Sequence, residues 1–271
     1  MNLLRNDDTG GVLRFLGTGA SLGVPVVGCN CSVCHSTNWL NRRLRSSVLI
    51  SIGKAKIVID VGPDFRSQAL AANVTHLDGV IITHSHHDHT ASMDELRAFP
   101  HFSGHPLPIL FSQATLNDLK IRFYYILGLA EDSNISRNHF DVQILPSHSG
   151  AVCFLGNAVK YVSYLQGSME VNGFRFGDLA YITDIKSYNE EIFDFLKGVK
   201  TLVLGVLRHA PSALHLSIDE AIAFAKRCGA EQTWFTHLSH EIGHEETSML
   251  LPPGISLSYD GLEIPFQIFE E

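Results

Sequence analysis

Thr83-His84-Ser85-His86-His87-Asp88-His89-Thr90 follows directly on the apolar run Val80-Ile81-Ile82. Four histidines and one aspartate fall within the six positions from His84 to His89. An apolar run that ends in such a cluster reads as a buried strand feeding a loop, where the chain turns and side chains can converge. Extended backbone aims His84 and His86 to one side, because alternate residues of a strand share a face. Asp88 and His89 follow on a tighter turn and can face a second centre. Imidazoles and a carboxylate this closely spaced suit zinc, manganese or iron. The plain alternative is a solvated, His-rich surface loop. Its attachment to a hydrophobic strand and the spacing His-x-His-x-Asp-His argue against that.

Outward from this run the chain alternates strands and helices. Residues 12–16 read as a strand ending in Gly17-Thr18-Gly19, a turn that lets backbones pass closely but fits no nucleotide-binding loop. Residues 47–52 and 56–60 form a hairpin around Gly53. Asp64 is placed to cap a helix running to Asn73, and residues 91–99 and 113–127 also carry helical patterns. Residues 132–139 read as a polar surface loop or lid. Strands are expected at 142–145, 152–155, 159–165, 170–176, 179–183, 201–206 and 232–236, with a short helix at 190–196. Ser217 and Glu220 make a capping box for a helix over 217–228, which Gly229 can end. Residues 255–259 are expected to pair with 262–266 across the turn Asp260-Gly261. The sum is an α/β chain in which two strand-rich halves are flanked by helices.

Composition bounds the function. The 271 residues read as one domain spanning the whole chain, with no linker or low-complexity stretch. Lys and Arg number 20 against 28 Asp and Glu, and the net charge of −8 disfavours nucleic acid as a partner. No apolar run reaches the ~18 residues of a membrane-spanning helix. Residues 1–11, with Asp7 and Asp8, lack the apolar core of a signal peptide. A cytoplasmic protein without membrane contact is the default expectation. The oligomeric state is left open, a homodimer among the options.

The five cysteines are odd in number, and three of them cluster as Cys29-Asn30-Cys31-Ser32-Val33-Cys34. A disulfide framework favours even numbers and wider spacing. This Cys-x-Cys-x-x-Cys knuckle instead supplies three of the four ligands of a tetrahedral structural zinc site. Cys153 and Cys228 lie in apolar patterns and are expected to be inert core residues.

Two later residues end strands as His84 does. Asp184 follows Tyr181-Ile182-Thr183, and its two oxygens suit a bridge between cations; a helix cap is the competing role. His237 follows Trp234-Phe235-Thr236 in Thr-His-Leu-Ser-His, and His240 lies three residues on.

The His-x-His-x-Asp-His run resembles the metallo-β-lactamase superfamily of binuclear metal hydrolases. That resemblance implies an αββα four-layer sandwich holding two divalent ions, zinc or manganese. His84 and His86 would bind the first ion, Asp88, His89 and His237 the second, and Asp184 would bridge them, with His87 as a spacer. The knuckle, Arg45-Ser46-Ser47, Tyr-Ile-Thr-Asp and Thr-His-Leu-Ser-His extend the resemblance to the PhnP-like phosphodiesterases, which open a cyclic phosphate on ribose phosphates. This branch implies that His240 completes a structural zinc site with Cys29, Cys31 and Cys34. It also implies that His215 assists the phosphate chemistry, although a residue orienting another ligand would look the same. Asp88 would hold metal and orient the nucleophile.

One departure stands out. The third histidine expected for the first ion is replaced by Gln166, in Tyr164-Leu165-Gln166-Gly167. An amide oxygen is a weaker zinc ligand than imidazole, and His148 is a conceivable substitute. The run Arg42-Arg43-Leu44-Arg45 could contact phosphate or form a solvated loop. The expected activity is metal-dependent hydrolysis of a small phosphodiester, including a cyclic ribose phosphate. The alternatives are a tRNA 3′-processing-type nuclease and a non-catalytic metal-binding relative.

Overall fold

The computed structural model describes residues 10–127 and 139–269. Its strands in chain order are β1 (Gly10–Gly17), β2 (Ser47–Ile52), β3 (Ala55–Ile59), β4 (Gly79–Ile81), β5 (Leu107–Phe111), β6 (Phe140–Ile144), β7 (Ser149–Phe154), β8 (Asn157–Gln166), β9 (Met169–Phe176), β10 (Leu179–Ile182), β11 (Thr201–Gly205), β12 (Gln232–Thr236), β13 (Ile255–Leu257) and β14 (Glu263–Gln267). They form two seven-stranded sheets, ordered β14-β1-β2-β3-β4-β5-β6 and β13-β12-β11-β10-β9-β8-β7. The helices are α1 (Phe65–Ala71), α2 (His87–Thr90), α3 (Ala98–Ser103), α4 (Gln113–Arg122), α5 (Ile192–Leu196), α6 (Ile218–Cys228) and α7 (His244–Ser248).

Burial explains why the central strands read as unbroken apolar runs, since both of their faces are covered. Ile57, Ile59, Ile81, Tyr181 and Val203 point into the layer between the sheets, with Phe15, Phe174 and Phe176. Val58, Val80 and Ile82 face outward against Phe65, Leu96 and Leu119. On the other flank Ile182, Leu202 and Leu204 meet Ile192, Ile218 and Phe224. Three apolar layers separate helix, sheet, sheet and helix, which is the expected αββα sandwich. α6 carries the complete Ser217–Glu220 capping box and ends at Gly229 in the left-handed conformation.

Several local expectations are corrected. Residues 255–259 and 262–266 do not form a hairpin: β13 pairs with β12 in one sheet and β14 with β1 in the other. The Asp-Gly turn carries the chain between sheets because Asp260 accepts from Thr18 Oγ1 at 2.7 Å and from Leu44 N at 2.8 Å. Asp64 makes no side-chain cap on α1. Its carboxylate is taken instead by Arg45, through the backbone N at 2.9 Å and the guanidinium at 3.1 Å. The 91–99 segment is a 3-10 turn, Met93–Arg97, running into α3. α4 stops at Arg122 rather than 127, where Phe123 leaves helical geometry and turns into the outer core. Cys153 is exposed rather than a core residue. Most of the polar 132–139 segment, residues 132–138, lies outside the described residues.

The parallel strands of the two sheets bring their C-terminal ends together, the edge where open α/β sheets place ligands. Asn172 N of β9 donates to Thr83 O at 3.0 Å, and Leu238 N donates to Thr18 O at 2.8 Å, so backbone bonds stitch the two sheets at this edge. The histidine loop is seated by Val61 N donating to His89 O at 2.8 Å and Ser92 N donating to Val61 O at 2.9 Å. Beneath it, a Cβ on Gly62 would stand 1.9 Å from the carbonyl oxygen of Asp88. Gly62→Ala must therefore push the loop outward. It is expected to lower stability by about 1–3 kcal/mol, as overpacking does, and to reduce bound metal in elemental analysis. Unchanged melting and metal content would show that the loop does not depend on this contact.

Candidate metal centre

Asp60 underlies the arrangement of the site. It is wholly buried at the end of β3, with Oδ1 accepting from Thr83 N and Oδ2 from Thr83 Oγ1, both at 2.8 Å. His89 Nδ1 donates to Oδ2 at 2.6 Å. Because the Thr83 hydroxyl proton is spent on Asp60, its oxygen accepts from His84 Nδ1 at 2.9 Å. One carboxylate thus orients both rings and turns their Nε2 atoms toward the centre. Burial pushes the Asp60 carboxyl upward, against the neighbouring His89 charge.

Around that frame the expected residues converge. His89 Nε2 lies 3.2 Å from Asp184 Oδ2 and 3.5 Å from Asp88 Oδ2. His237 Nε2 lies 3.2 Å from Asp184 Oδ1 and 3.5 Å from the same Asp88 oxygen. His84 groups with His89 and Asp184, and His215 with Asp184 and His237. His86 is hydrogen-bonded to His84, Nδ1 to Nε2, at 3.0 Å. Asp60, Asp184 and His237 are three non-glycine strand-end residues with left-handed φ of 65°, 55° and 60°. Such backbone is uncommon outside glycine and collects at functional sites. It turns each side chain out of the sheet and into the shared edge.

Metal fits this donor set. Among the described residues, His89 Nε2 and both ring nitrogens of His237 are buried without a hydrogen-bond partner, although carboxylate oxygens stand close by. His89 Nε2 and His237 Nε2, set between two carboxylates, are nitrogens that a divalent cation can ligate once their protons leave. Burial opposes charge on His89 and His237, but Asp184 and Asp88, with Asp60 also beside His89, outweigh it and raise both. Burial likewise opposes ionisation of Asp88 and Asp184, and the imidazoles reverse it, holding both far below the carboxylate range. His84, pressed by burial and by the His89 charge, is held well below its ordinary value.

The remaining expected residues divide. Gln166 reaches the centre, with its Nε2 3.0 Å from Asp184 Oδ1. His148 does not: its ring is 88% exposed and pairs with Glu170 at 3.0 Å. Of the basic run, Arg43 is buried and donates to Ser239 O at 3.1 Å, Arg45 is held by Asp64, and only Arg42 is freely exposed. The knuckle is assembled as expected, with Cys29, Cys31, Cys34 and His240 within ligating range of one another. His240 Nδ1 lies 3.2 Å from Cys29 Sγ and 3.5 Å from Cys31 Sγ. The Cys34 amide and His240 lower the Cys31 thiol to about 6, while burial lifts Cys34 to about 11.

Sequence reasoning missed two contributors. Asp60 was legible only as the polar residue closing Ile57-Val58-Ile59 ahead of a Gly-Pro turn. Arg122 of α4 gave no signal, yet its guanidinium donates to Thr90 Oγ1 at 3.2 Å and to the Ser85 carbonyl, bracing the histidine loop from outside.

Comparison with known proteins places these features in context. The model of the beta-lactamase superfamily domain matches residues 55–238. A solved structure described as a new diphosphatase from the PhnP family is 35% identical and superimposes with a TM-score of 0.88, covering 96% of this chain and 98% of that one. An octanoyltransferase of Porphyromonas gingivalis is 34% identical over 254 residues, which cover 92% of this chain. The chain spans about half, 50%, of that relative's length. Coenzyme PQQ synthesis protein B of Klebsiella pneumoniae is 32% identical over 307 residues, covering 94% of this chain and 98% of the relative.

With His89 raised well above its ordinary value and His237 raised in the same direction, an arriving cation must compete with protons for these rings. Manganese, which disfavours thiolates, is the suitable probe. Its binding is expected to release protons at pH 7, read as heats that vary with the buffer's ionisation enthalpy, and to weaken as pH falls and protons compete. Buffer-independent heats with a pH-independent affinity would contradict this protonation pattern.

Proposed function

The chain belongs to the metallo-β-lactamase superfamily, within its PhnP family, and we propose that it is a metal-dependent hydrolase of small phosphodiesters. The observation that carries this reading is the convergence of His89 Nε2 and His237 Nε2 on Asp88 and Asp184 at 3.2–3.5 Å, in a buried edge accessible through Asp88 and His215. Asp88, His89, Asp184 and His237 would hold one ion. His84 and His86 would hold the other ion, and Asp184 also converges with His84. Cys29, Cys31, Cys34 and His240 would hold a structural zinc, and four protein ligands would leave it no open position for chemistry. Bound at the buried edge, divalent ions acidify a water and neutralise charge on phosphoryl oxygens.

The chain's own side chains do the rest. Asp88 and His215, at 13% and 14% side-chain exposure, reach solvent together with the half-buried His86, whereas Asp184 and His237 are closed off. A substrate therefore meets Asp88, His215 and His86 before the closed-off ligands. Asp88 is held ionised far below neutral pH, so it can accept a hydrogen bond from the attacking water and fix its direction. His215 stacks on His237 at 5.0 Å between ring centroids. Burial and the His237 charge lower it to about 4. At neutral pH it is an uncharged imidazole, suited to donate a hydrogen bond to a phosphoryl or leaving oxygen rather than to act as a fixed cation.

A second reading, hydrolysis of a diphosphate, is favoured by the 35% identity to the PhnP-family diphosphatase. Both reactions cleave a phosphorus–oxygen bond and differ in the leaving group. Turnover of bis(p-nitrophenyl) phosphate, a cyclic ribose phosphate and nucleoside diphosphate esters, each with zinc and with manganese, separates them. At least one of these phosphoryl compounds is expected to turn over only with metal. His215→Ala is expected to lower kcat by roughly 10²–10⁴-fold, the range for a lost acid–base partner, at unchanged metal content. Hydrolysis of thioesters or lactams in place of every phosphoryl compound would overturn the reading. So would full metal binding with no turnover at all.

A further inference from the structure

Gln166 closes β8 in the middle of the ligating residues. It is buried, at 4% exposure, and its Nε2 stands 3.0 Å from Asp184 Oδ1 and 2.9 Å from His215 Nε2. An amide nitrogen has two N–H donors and no available lone pair. One N–H goes to the carboxylate and the other to the imidazole. The backbone holds it there. Tyr164 OH donates to Thr183 O at 2.6 Å, tying β8 to the residue before Asp184. Leu165 N donates to Ser187 O at 2.8 Å, just beyond it. Gln166 pairs with Met169 across a tight turn in which Gly167 has a φ of 60°.

These contacts leave the two sides of the centre unequal. Both oxygens of Asp184 face the His89 and His237 side, at 3.2 Å each, and Thr183 Oγ1 donates to Oδ2 at 2.7 Å. On the other side His84 still converges with His89 and Asp184, but its Nε2 is bonded to His86 Nδ1. Among the described residues, His86 belongs to no group in which three ligating atoms converge. Gln166 Oε1, the one atom of the amide able to ligate, is buried without a hydrogen-bond partner among the described residues. Turning the amide to present that oxygen to a cation would withdraw the N–H from a buried carboxylate, a charge-assisted bond of the stronger kind. Clamp and ligand are competing uses of one side chain.

We propose that Gln166 is a positioning residue that makes the centre asymmetric. By tying Asp184 to His215 it commits the carboxylate to the ion held with Asp88, His89 and His237, and leaves the His84–His86 side to hold a second ion only weakly. The inference rests on the metal-dependent reading of the site. Its test counts ions and needs no substrate, so a failure to find hydrolysis and a failure of the asymmetry are separate results.

Manganese and cobalt are titrated against a chromophoric chelator into the full-length protein, and retained ions are counted by elemental analysis. Cobalt absorption distinguishes thiolate-bound ions from those at the nitrogen and oxygen centre. Wild type is expected to retain one tight ion at that centre, with the second weaker by at least roughly 10–100-fold, the scale on which ligand environment sets affinity. Gln166→His supplies an imidazole in place of the amide and is expected to narrow that gap to within about tenfold. Gln166→Leu removes clamp and ligand together. It should leave the second ion weak and loosen the tight one by roughly tenfold, as Asp184 loses its anchor. Two ions of equal affinity in wild type would overturn the proposal on their own, even if no variant folds. A ratio of affinities that Gln166→His does not change would also overturn it.

Discussion

The Asp60 carboxylate is buried with three hydrogen bonds, from Thr83 N, Thr83 Oγ1 and His89 Nδ1, and the site cannot be assembled without it. A buried charge stripped of its partner costs about 3–5 kcal/mol, a large part of the 5–15 kcal/mol or so by which a domain is stable. Thr83 and His89 are therefore held to Asp60 by the stability of the protein itself. The constraint then passes outward. His89 must present Nε2 to the centre, His84 is oriented through the Thr83 hydroxyl, and the loop between them follows a path that Gly62 alone leaves open.

Electrostatics and backbone shape meet at the same edge. Asp88, Asp184 and Asp60 stand near one another in a water-poor space, where like charges repel strongly. The same repulsion draws protons onto His89 and His237 and raises both, and a divalent cation placed among the same atoms would offset it more fully. The left-handed φ values of Asp60, Asp184 and His237 follow from this demand. Each strand has to break direction abruptly to deliver a polar side chain to the centre while its apolar residues remain in the layers of the sandwich. The knuckle contributes from the second sheet's side, since His240 lies three residues beyond His237 and ties residues 29–34 to that strand end.

Much of this was legible in the chain. The strand before His84, the endings at Asp184 and His237, the cysteine knuckle and the capping box of α6 all have short-range signatures, and the structure brings their residues together as expected. Misread features depended on distant partners. Asp260-Gly261 has the local form of a hairpin turn, but its carboxylate is claimed by Thr18 and Leu44, so the strands on either side belong to different sheets. Asp64 resembles a helix cap until Arg45 takes it. Arg43 in a basic run reads as a phosphate contact or part of a solvated loop, whereas its guanidinium is buried against Ser239. Asp60 carries no motif of its own, because its role is defined by the fold of two other strand ends around it.

Anomalous diffraction from crystals grown with zinc, recorded on both sides of the zinc absorption edge, is the most direct test of the proposed centre. The account predicts a strong peak enclosed by Asp88, His89, Asp184 and His237, and another enclosed by Cys29, Cys31, Cys34 and His240. A map with zinc at the knuckle but none among Asp88, His89, Asp184 and His237, at a pH where His89 can give up its proton, would contradict it.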